Sequence, residues 1–335
     1  MSLLELRGVE VVYHRPGRDV RAVAGADLSV ERGQIVGLVG ESGCGKSTLA
    51  RAAVGLVPVA AGQVLFDGVP VQPLRRRARD PRERRLQMVF QDPYSSLNPR
   101  RRIGDQIADG LKLAAGFRGD PRKKVAELLE RVHLPTDAAR RFPHEFSGGQ
   151  RQRIAIARAL AADPSLIVAD EAISALDASA QASVANLLVS LTRELDMGLL
   201  FISHDLAIVR QVADVVAVMY LGKVVETGVT AQVWAEPAHP YTRALIAAVP
   251  PPDGSGTLPK DLPGDVPDPA GPPTGCRFHP RCPAVFAPCP VVEPPIVSLG
   301  DGRTTACWLH TEPPALVAGS SVDRDGAADN TSEVA

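Results

Sequence analysis

From the start of the chain to about residue 250, short runs rich in Val, Ile and Leu alternate with stretches whose apolar positions recur every three to four residues. The runs at 35–39, 87–90, 166–169, 199–203 and 215–220 are four to six residues long and several are almost wholly apolar, as strands covered on both faces are. Between them, Val125, Leu128, Leu129 and Val132 share helical spacing, as do Val184, Leu187, Leu188, Leu191 and Leu195, and each set makes one buried stripe. This alternation predicts an α/β fold with a mostly parallel sheet covered by helices. The first 30 residues depart from it. Short strand-like pieces at 3–6, 9–13 and 28–30, joined by Gly and Arg/Asp turns, predict a small antiparallel β layer.

The pattern breaks near residue 250, because 15 of the 30 prolines fall between Pro250 and Pro295. We therefore expect one large domain over 1–250 with a helical subdomain at about 92–160, a Pro-rich linker over 251–275, a Cys-rich module over 276–310 and a disordered tail over 311–335, whose Ala/Ser/Asp/Gly composition has little to bury. A length of 335 residues with 45% apolar content is ample for a large core. With Lys+Arg 37 against Asp+Glu 38 the net charge is -1, so no global field draws the chain to nucleic acid or an anionic bilayer. The seven arginines between Arg75 and Arg85 lack interleaved aromatics and read as a solvated connector. No run approaches the roughly 18 apolar residues of a membrane span, and the start lacks signal-peptide organisation, so a cytosolic chain is expected.

Two segments carry phosphate chemistry. Gly40, Glu41, Ser42, Gly43, Cys44, Gly45, Lys46, Ser47 and Thr48 match G-x-x-x-x-G-K-[ST] between an apolar strand and a helix start. Such glycines let backbone N–H groups curl around phosphate oxygens, while Lys46 supplies a point charge and Ser47 a ligand for Mg²⁺. Cys44 in the loop reads as a small residue that fits. A second apolar strand ends in Asp170 and Glu171, which suits Asp170 to the Mg²⁺ shell and Glu171 to orienting or deprotonating the attacking water. An acidic pair after a strand is more often a helix cap, but behind a phosphate loop the catalytic reading prevails.

A kinase or GTPase has no use for the next segment. Phe146, Ser147, Gly148, Gly149 and Gln150 precede a helix and form a second nest of N–H groups, which reads as a clamp for a nucleotide held by another subunit. With it the chain resembles the ATP-binding cassette (ABC) family over residues 1 to about 225. The resemblance assigns Tyr13 to adenine stacking, 40–48 to the Walker A loop, Gln91 to the Q-loop, 146–150 to the signature, 166–171 to Walker B, 174–177 with Asp177 to the D-loop and His204 to the switch histidine. It implies ATP and Mg²⁺, a head-to-tail dimer with ATP between one subunit's phosphate loop and the other's signature, Gln91 near Mg²⁺ and water, and His204 on the γ-phosphate. The bland alternatives are that Tyr13 is a strand aromatic and that His204 before Asp205 simply opens a helix. The chain departs from the family at Phe146, where Leu is commoner, and at Ala172, where Pro is usual; the second puts the loop holding Glu171 and the turnover rate in doubt.

Within that family, 89–99, 143–153 and 239–245 are similar to the ATPase subunits of dipeptide/oligopeptide importers, and 38–48 resembles the second of their two paralogues. The resemblance implies two transmembrane permease subunits met through residues 91–99, an extracytoplasmic binding protein, a paralogous ATPase or a second copy as dimer partner, and a place on the inner face of the membrane. A nickel or other small-solute importer uses almost the same cassette; a soluble ABC protein acting on DNA or ribosomes would usually carry two cassettes or a long coiled-coil insertion. Cys276, Cys282, Cys289 and Cys307 follow a Cys-x5-Cys-x6-Cys-x17-Cys pattern that matches neither the ferredoxin nor the paired zinc spacing. The resemblance favours a structural [4Fe–4S] cluster, with zinc and free thiols left as alternatives, and His279 and His310 read as surface residues.

Overall fold

The computed structural model describes residues 2–74, 79–114, 116–249 and 264–313. Residues 75–78 of the arginine run, 251–263 of the expected linker and 314–335 of the expected tail lie outside them.

Two sheets form the body. The antiparallel one has the order β2-β1-β4-β5, built from β1 (Leu4–Arg15), β2 (Arg18–Val30), β4 (Ala61–Phe66) and β5 (Val69–Pro70). The other has eight strands in the order β11-β12-β10-β9-β3-β8-β7-β6: β3 (Ile35–Val39), β6 (Leu86–Val89), β7 (Leu166–Asp170), β8 (Gly198–Ile202), β9 (Val215–Tyr220), β10 (Lys223–Val229), β11 (Val297–Gly300) and β12 (Arg303–Thr305). Five of these, β6-β7-β8-β3-β9, are mutually parallel. Residues of β3, β7 and β8 are buried throughout, which is why their sequences show no alternation.

The antiparallel layer differs from the expected short pieces. β1 and β2 are single strands of 12 and 13 residues that pair along their length, with register shifts between Leu6 and Val9, between Val9 and Glu10, and between Val11 and Val12. Bulges at such shifts break the period-two pattern, so the hydrophobic runs look interrupted where the strands are continuous.

Helix α1 (Lys46–Ala53) follows β3, and a helical layer of α2 (Pro93–Ser96), α3 (Ile103–Leu111), α4 (Pro121–Arg131) and α5 (Gly148–Leu160) lies between β6 and β7 in the chain. Val125, Leu128, Leu129 and Val132 are buried in one core cluster with Ile103, Ile107 and Ile154. Helix α6 (Ala178–Glu194) buries Val184, Leu187, Leu188 and Leu191 as its spacing predicts, with Leu195 only partly buried. Helices α7 (Leu206–Val212), α8 (Thr230–Ala235) and α9 (Pro240–Ala247) complete the chain to residue 249.

The C-terminal segment is not a separate module. Its hairpin β11–β12 pairs antiparallel onto β10 and so extends the large sheet, while Phe278 is 1% exposed within the main core cluster. Too proline-rich to build a core, the segment borrows one. Phe278 packs against Tyr220 and Tyr241 with ring centroids 5.3 Å away in each case. Glu226 on β10 ties it down: buried at 1% exposure, it accepts from the backbone N–H groups of Ala238 and His239 and from Arg303 at 3.0 Å.

His239 beside that carboxylate is 1% exposed, and its Nδ1 accepts the Tyr241 N–H at 3.0 Å. Burial, with a smaller push from His310, brings its pKa down to about 3. The unfolded chain takes up this proton near pH 6.5 while the folded chain does not until about pH 3, so stability is lost as pH falls through that interval. The unfolding free energy should fall steadily below pH 6.5, by up to about 1.4 kcal/mol per pH unit, and the measured melting temperature should drop with it. His239→Asn, whose amide oxygen can accept the same bond, should flatten that dependence; an equally steep fall in the variant would assign it elsewhere.

Candidate functional site

The loop between β3 and α1 is shaped by what cannot be there. Gly40 sits at φ +151°, and a Cβ on it would lie 2.1 Å from the Met219 carbonyl oxygen; at Gly45, φ +110°, it would lie 2.3 Å from the Ala22 carbonyl oxygen. Only glycine permits β9 and β2 to press so closely on the loop. Inside it, Lys46 is 4% exposed, its ammonium donating to the carbonyls of Gly40 at 2.8 Å and Glu41 at 2.9 Å. Ser42 and Gly43 are exposed, and the space beside Gly43 is open. Cys44, 2% exposed and with its thiol pKa raised by burial, is the small core residue expected of it.

At the end of β7, Asp170 Oδ1 accepts a hydrogen bond from Ser47 Oγ at 2.7 Å, and burial raises the Asp170 pKa against the opposing effect of that bond. A hydroxyl and a carboxylate so paired are oxygen donors of the type Mg²⁺ takes, so the residues present fit that ion. The next residue, Glu171, adopts φ +46°, and its N–H donates to the Ile202 carbonyl at 3.0 Å. Its own carbonyl accepts from the Ser174 N–H at 3.1 Å and from Ser174 Oγ at 2.9 Å. These three bonds hold the loop that proline 172 would stiffen; Ala172 is instead buried at 1% exposure. A left-handed residue of this kind costs on the order of 1–3 kcal/mol, which the surrounding bonds sustain. His204 Nδ1 lies 3.8 Å from Glu171 Oε2, while Gln91 donates to Ser174 Oγ at 3.3 Å. Asp170, Glu171, Gln91 and His204 therefore converge behind the phosphate loop, with Ser174 as a connecting hydroxyl.

The signature is a second, separate cluster. Ser147 caps α5 in a reciprocal arrangement: its Oγ accepts from Gln150 N–H at 3.3 Å and its own N–H donates to Gln150 Oε1 at 3.0 Å. Gly148 and Gly149 fit closely against Leu176 and Ala180, where a Cβ would come within 3.2 Å of each. Asp177 caps α6 by accepting from Ala180 N–H at 2.9 Å, so signature and D-loop share one wall of a cavity of about 420 Å³. Tyr13 lies on β1 opposite Val20 and is 36% exposed, available for stacking.

Similarity to known proteins agrees with this geometry. The ABC transporter family model matches residues 23–174, and the model for the oligopeptide/dipeptide transporter C-terminal region matches residues 225–289. A Sinorhizobium fredii protein named as a probable peptide ABC transporter ATP-binding protein, y4tS, is 49% identical over 301 residues, 89% of this chain and 85% of its own. The chain belongs to the ABC transporter ATPases. A putative peptide import ATP-binding protein of Brucella ovis is 44% identical over 91% of this chain and 97% of its own. Among solved structures, the ABC cassette MJ0796 in a dimeric post-hydrolysis state with ADP and Pi is 27% identical, covering 68% of this chain and 98% of its own with TM-score 0.60. The cbiO1 protein of Clostridium perfringens, part of the complex cbiONQ, matches with TM-score 0.61 at 27% identity, covering 70% of this chain and 91% of its own. This ATPase accordingly uses ATP and Mg²⁺.

The expected cluster on the four cysteines is not supported among the described residues. Cys276, Cys282, Cys289 and Cys307 line one small cavity, yet among the described residues no group of three or more His, Cys, Asp or Glu is placed to hold a metal ion. Burial raises the thiol pKa of Cys276 to about 11 and raises those of Cys282 and Cys307. The expected cluster therefore finds no support in this geometry, and no step is assigned to one. Of the two histidines, His310 is exposed, as expected, with Nε2 3.0 Å from the Ala238 carbonyl, while His279 is half-buried with Nδ1 3.0 Å from the Cys276 carbonyl.

Two residues at the phosphate loop carried no role in the sequence. Tyr241 accepts the Glu41 N–H on its hydroxyl at 2.9 Å, and Arg281 grips the Glu41 carboxylate with both terminal nitrogens, at 2.8 and 3.0 Å. Each lies in a stretch similar to the importer ATPases, 239–245 and 275–283, but only the fold brings them to Glu41.

Gly45→Ala should leave the loop unable to seat a phosphate and cost roughly 1–3 kcal/mol, the scale of a strained φ and an overpacked contact. A fluorescent ATP analogue titrated into the variant, alongside its denaturation curve, checks both; undiminished binding would remove the loop from the nucleotide site.

Proposed function

We propose that the chain is the ATP-hydrolysing subunit of an importer of dipeptides or oligopeptides, peripheral on the inner face of the membrane and paired with a like or paralogous ATPase beneath two transmembrane subunits. The observation that carries the hydrolytic part is the convergence of Lys46, Ser47, Asp170, Glu171 and His204 at the ends of adjacent strands β3, β7 and β8, with the Ser147 cluster apart from them. Lys46 holds the β- and γ-phosphates, and the exposed N–H groups of Ser42 and Gly43 extend the cradle. Mg²⁺, held by Ser47 and Asp170, would neutralise charge on the phosphate oxygens. Glu171 orients and deprotonates the attacking water, His204 donates to the γ-phosphate, and Gln91 reports nucleotide occupancy to residues 91–99 through Ser174.

The pairing follows from the Ser147 cluster. No hydrogen bond joins it to the phosphate loop among the described residues, and the partly exposed Gly148 and Gly149 at the helix N-terminus suit a γ-phosphate presented by a partner. Tyr13 stacks on the adenine, worth about 1–3 kcal/mol by analogy with other base platforms.

Coupling to transmembrane subunits has its own support. A groove of about 1150 Å³ runs beside residues 91–99, lined by Leu56, Met88, Phe90, Tyr94, Leu97 and Leu113 among others. Gln106, 4% exposed, holds its wall by accepting from Asn98 N–H at 2.8 Å and donating to the Asn98 and Arg101 carbonyls at 3.0 Å. Tyr94 is 65% exposed and stacks on Arg151, with the guanidinium 3.9 Å from the ring centre. No helix among the described residues is long and apolar enough to cross a membrane; in this reading the two transmembrane subunits form the channel. The names of these relatives, which specify peptides, support the cargo.

Glu171→Gln should still bind ATP while turnover falls by about 10²- to 10⁴-fold, the usual contribution of a general base. Wild-type phosphate release from the variant would overturn the role. Lys46→Ala should instead lose affinity first; unchanged ATP binding measured by titration calorimetry would count against the loop assignment.

A further inference from the structure

We propose that Arg281, contributed by the C-terminal segment, is a positioning residue for the phosphate loop, so that this segment sets the ATPase's affinity for nucleotide. The inference rests on the reading of residues 40–48 as the ATP site and goes beyond it by naming what holds that site in shape.

Glu41 links the two because its backbone and its carboxylate are held by different partners. Its carboxylate takes both nitrogens of Arg281, at 2.8 and 3.0 Å, while its carbonyl accepts from the Lys46 ammonium at 2.9 Å and its N–H is taken by the Tyr241 hydroxyl. The donor and acceptor groups that orient Glu41, and through it Lys46, are thereby spoken for by residues about 200 and 240 positions along the chain. A fork-on-carboxylate pair fixes distance and plane together, which a single-point contact does not. The pair is also shielded: the side chain of Arg281 is 4% exposed and that of Glu41 18%, so solvent cannot replace the contact cheaply.

Arg281 is itself fixed from the far side. It closes the short helical turn His279–Arg281, whose backbone bonds run from His279 N–H to the Cys276 carbonyl and from Cys282 N–H to the His279 carbonyl. Cys276 N–H donates in turn to the Cys289 carbonyl at 2.8 Å. The guanidinium also donates to the Tyr220 hydroxyl at 3.4 Å, within the Tyr220, Tyr241 and Phe278 aromatic cluster. Further along the same edge, Arg277 bonds the Leu221 carbonyl and Asp268 pairs with Arg18 of β2 at 3.0 Å. The segment therefore grips both the phosphate loop and the antiparallel layer that carries Tyr13. A displacement of the 276–282 turn cannot leave Glu41 where it is.

The test uses the full chain. Arg281→Gln and Glu41→Gln should each weaken ATP binding by about three- to tenfold, the range for residues that act through a neighbour, and the double variant should be no weaker than the single ones. At saturating ATP the turnover of Arg281→Gln should stay within about twofold of wild type, so the loss appears in KM. Arg281→Lys, which keeps the charge and loses the fork, should recover only part of the affinity. Unchanged ATP affinity in folded Arg281→Gln, or additive losses in the double variant, would overturn the proposal. Should the variants fail to fold, wild-type protein decides: a non-hydrolysable ATP analogue should slow amide exchange at His279, Arg281 and Cys282, because coupling is reciprocal. Exchange there indifferent to the analogue would equally overturn it. Lys46→Ala separates the two readings, since loss of binding there with no effect at Arg281 leaves the ATP site standing and removes only this inference.

Discussion

One buried ammonium organises this ATPase. Lys46 is withdrawn from water, and a charge so placed is tolerable only when carbonyl groups surround it in fixed positions. Gly40 and Glu41 supply those carbonyls, and the loop can bend to do so because β9 at Met219 and β2 at Ala22 close on glycines that leave no room for a side chain. The constraint reaches outward. It requires β3 beside β9 in the parallel sheet and the antiparallel layer against both, so the two sheets meet at the place where the charge is kept.

Much of this was legible beforehand, for reasons particular to each element. Doubly covered strands write themselves as unbroken apolar runs, so β3 and β9 coincide with their predicted limits, and the α4 and α6 stripes are the faces that the core buries. The phosphate loop is legible because its backbone demands glycine at fixed places. The antiparallel layer was less so. Its bulges interrupt the alternation that marks a strand, and β4 follows a turn-rich stretch whose exposed half resembles a loop.

What sequence could not reveal was long-range pairing. Ser174 behind Glu171 is a local contact and Asp177 a local cap, but Tyr241 and Arg281 reach Glu41 from the opposite end of the chain. No spacing rule links them. The four cysteines show the same limit from the other direction: proximity in sequence suggested one ligand set, and the fold does bring them to one cavity, but no group there is placed to hold a metal ion among the described residues.

The β11–β12 hairpin adds a temporal consequence. It completes the sheet edge beyond β10, and the turn before it delivers Arg281 to a carboxylate 240 residues upstream. Contacts of such separation form late, after the loop entropy of the intervening chain has been overcome. On a ribosome that releases the polypeptide from its first residue onward, the phosphate loop emerges long before the segment that clasps it. The nascent enzyme therefore spends most of its synthesis with an unclasped nucleotide pocket, and acquires its mature grip only when nearly the whole chain has left the exit tunnel.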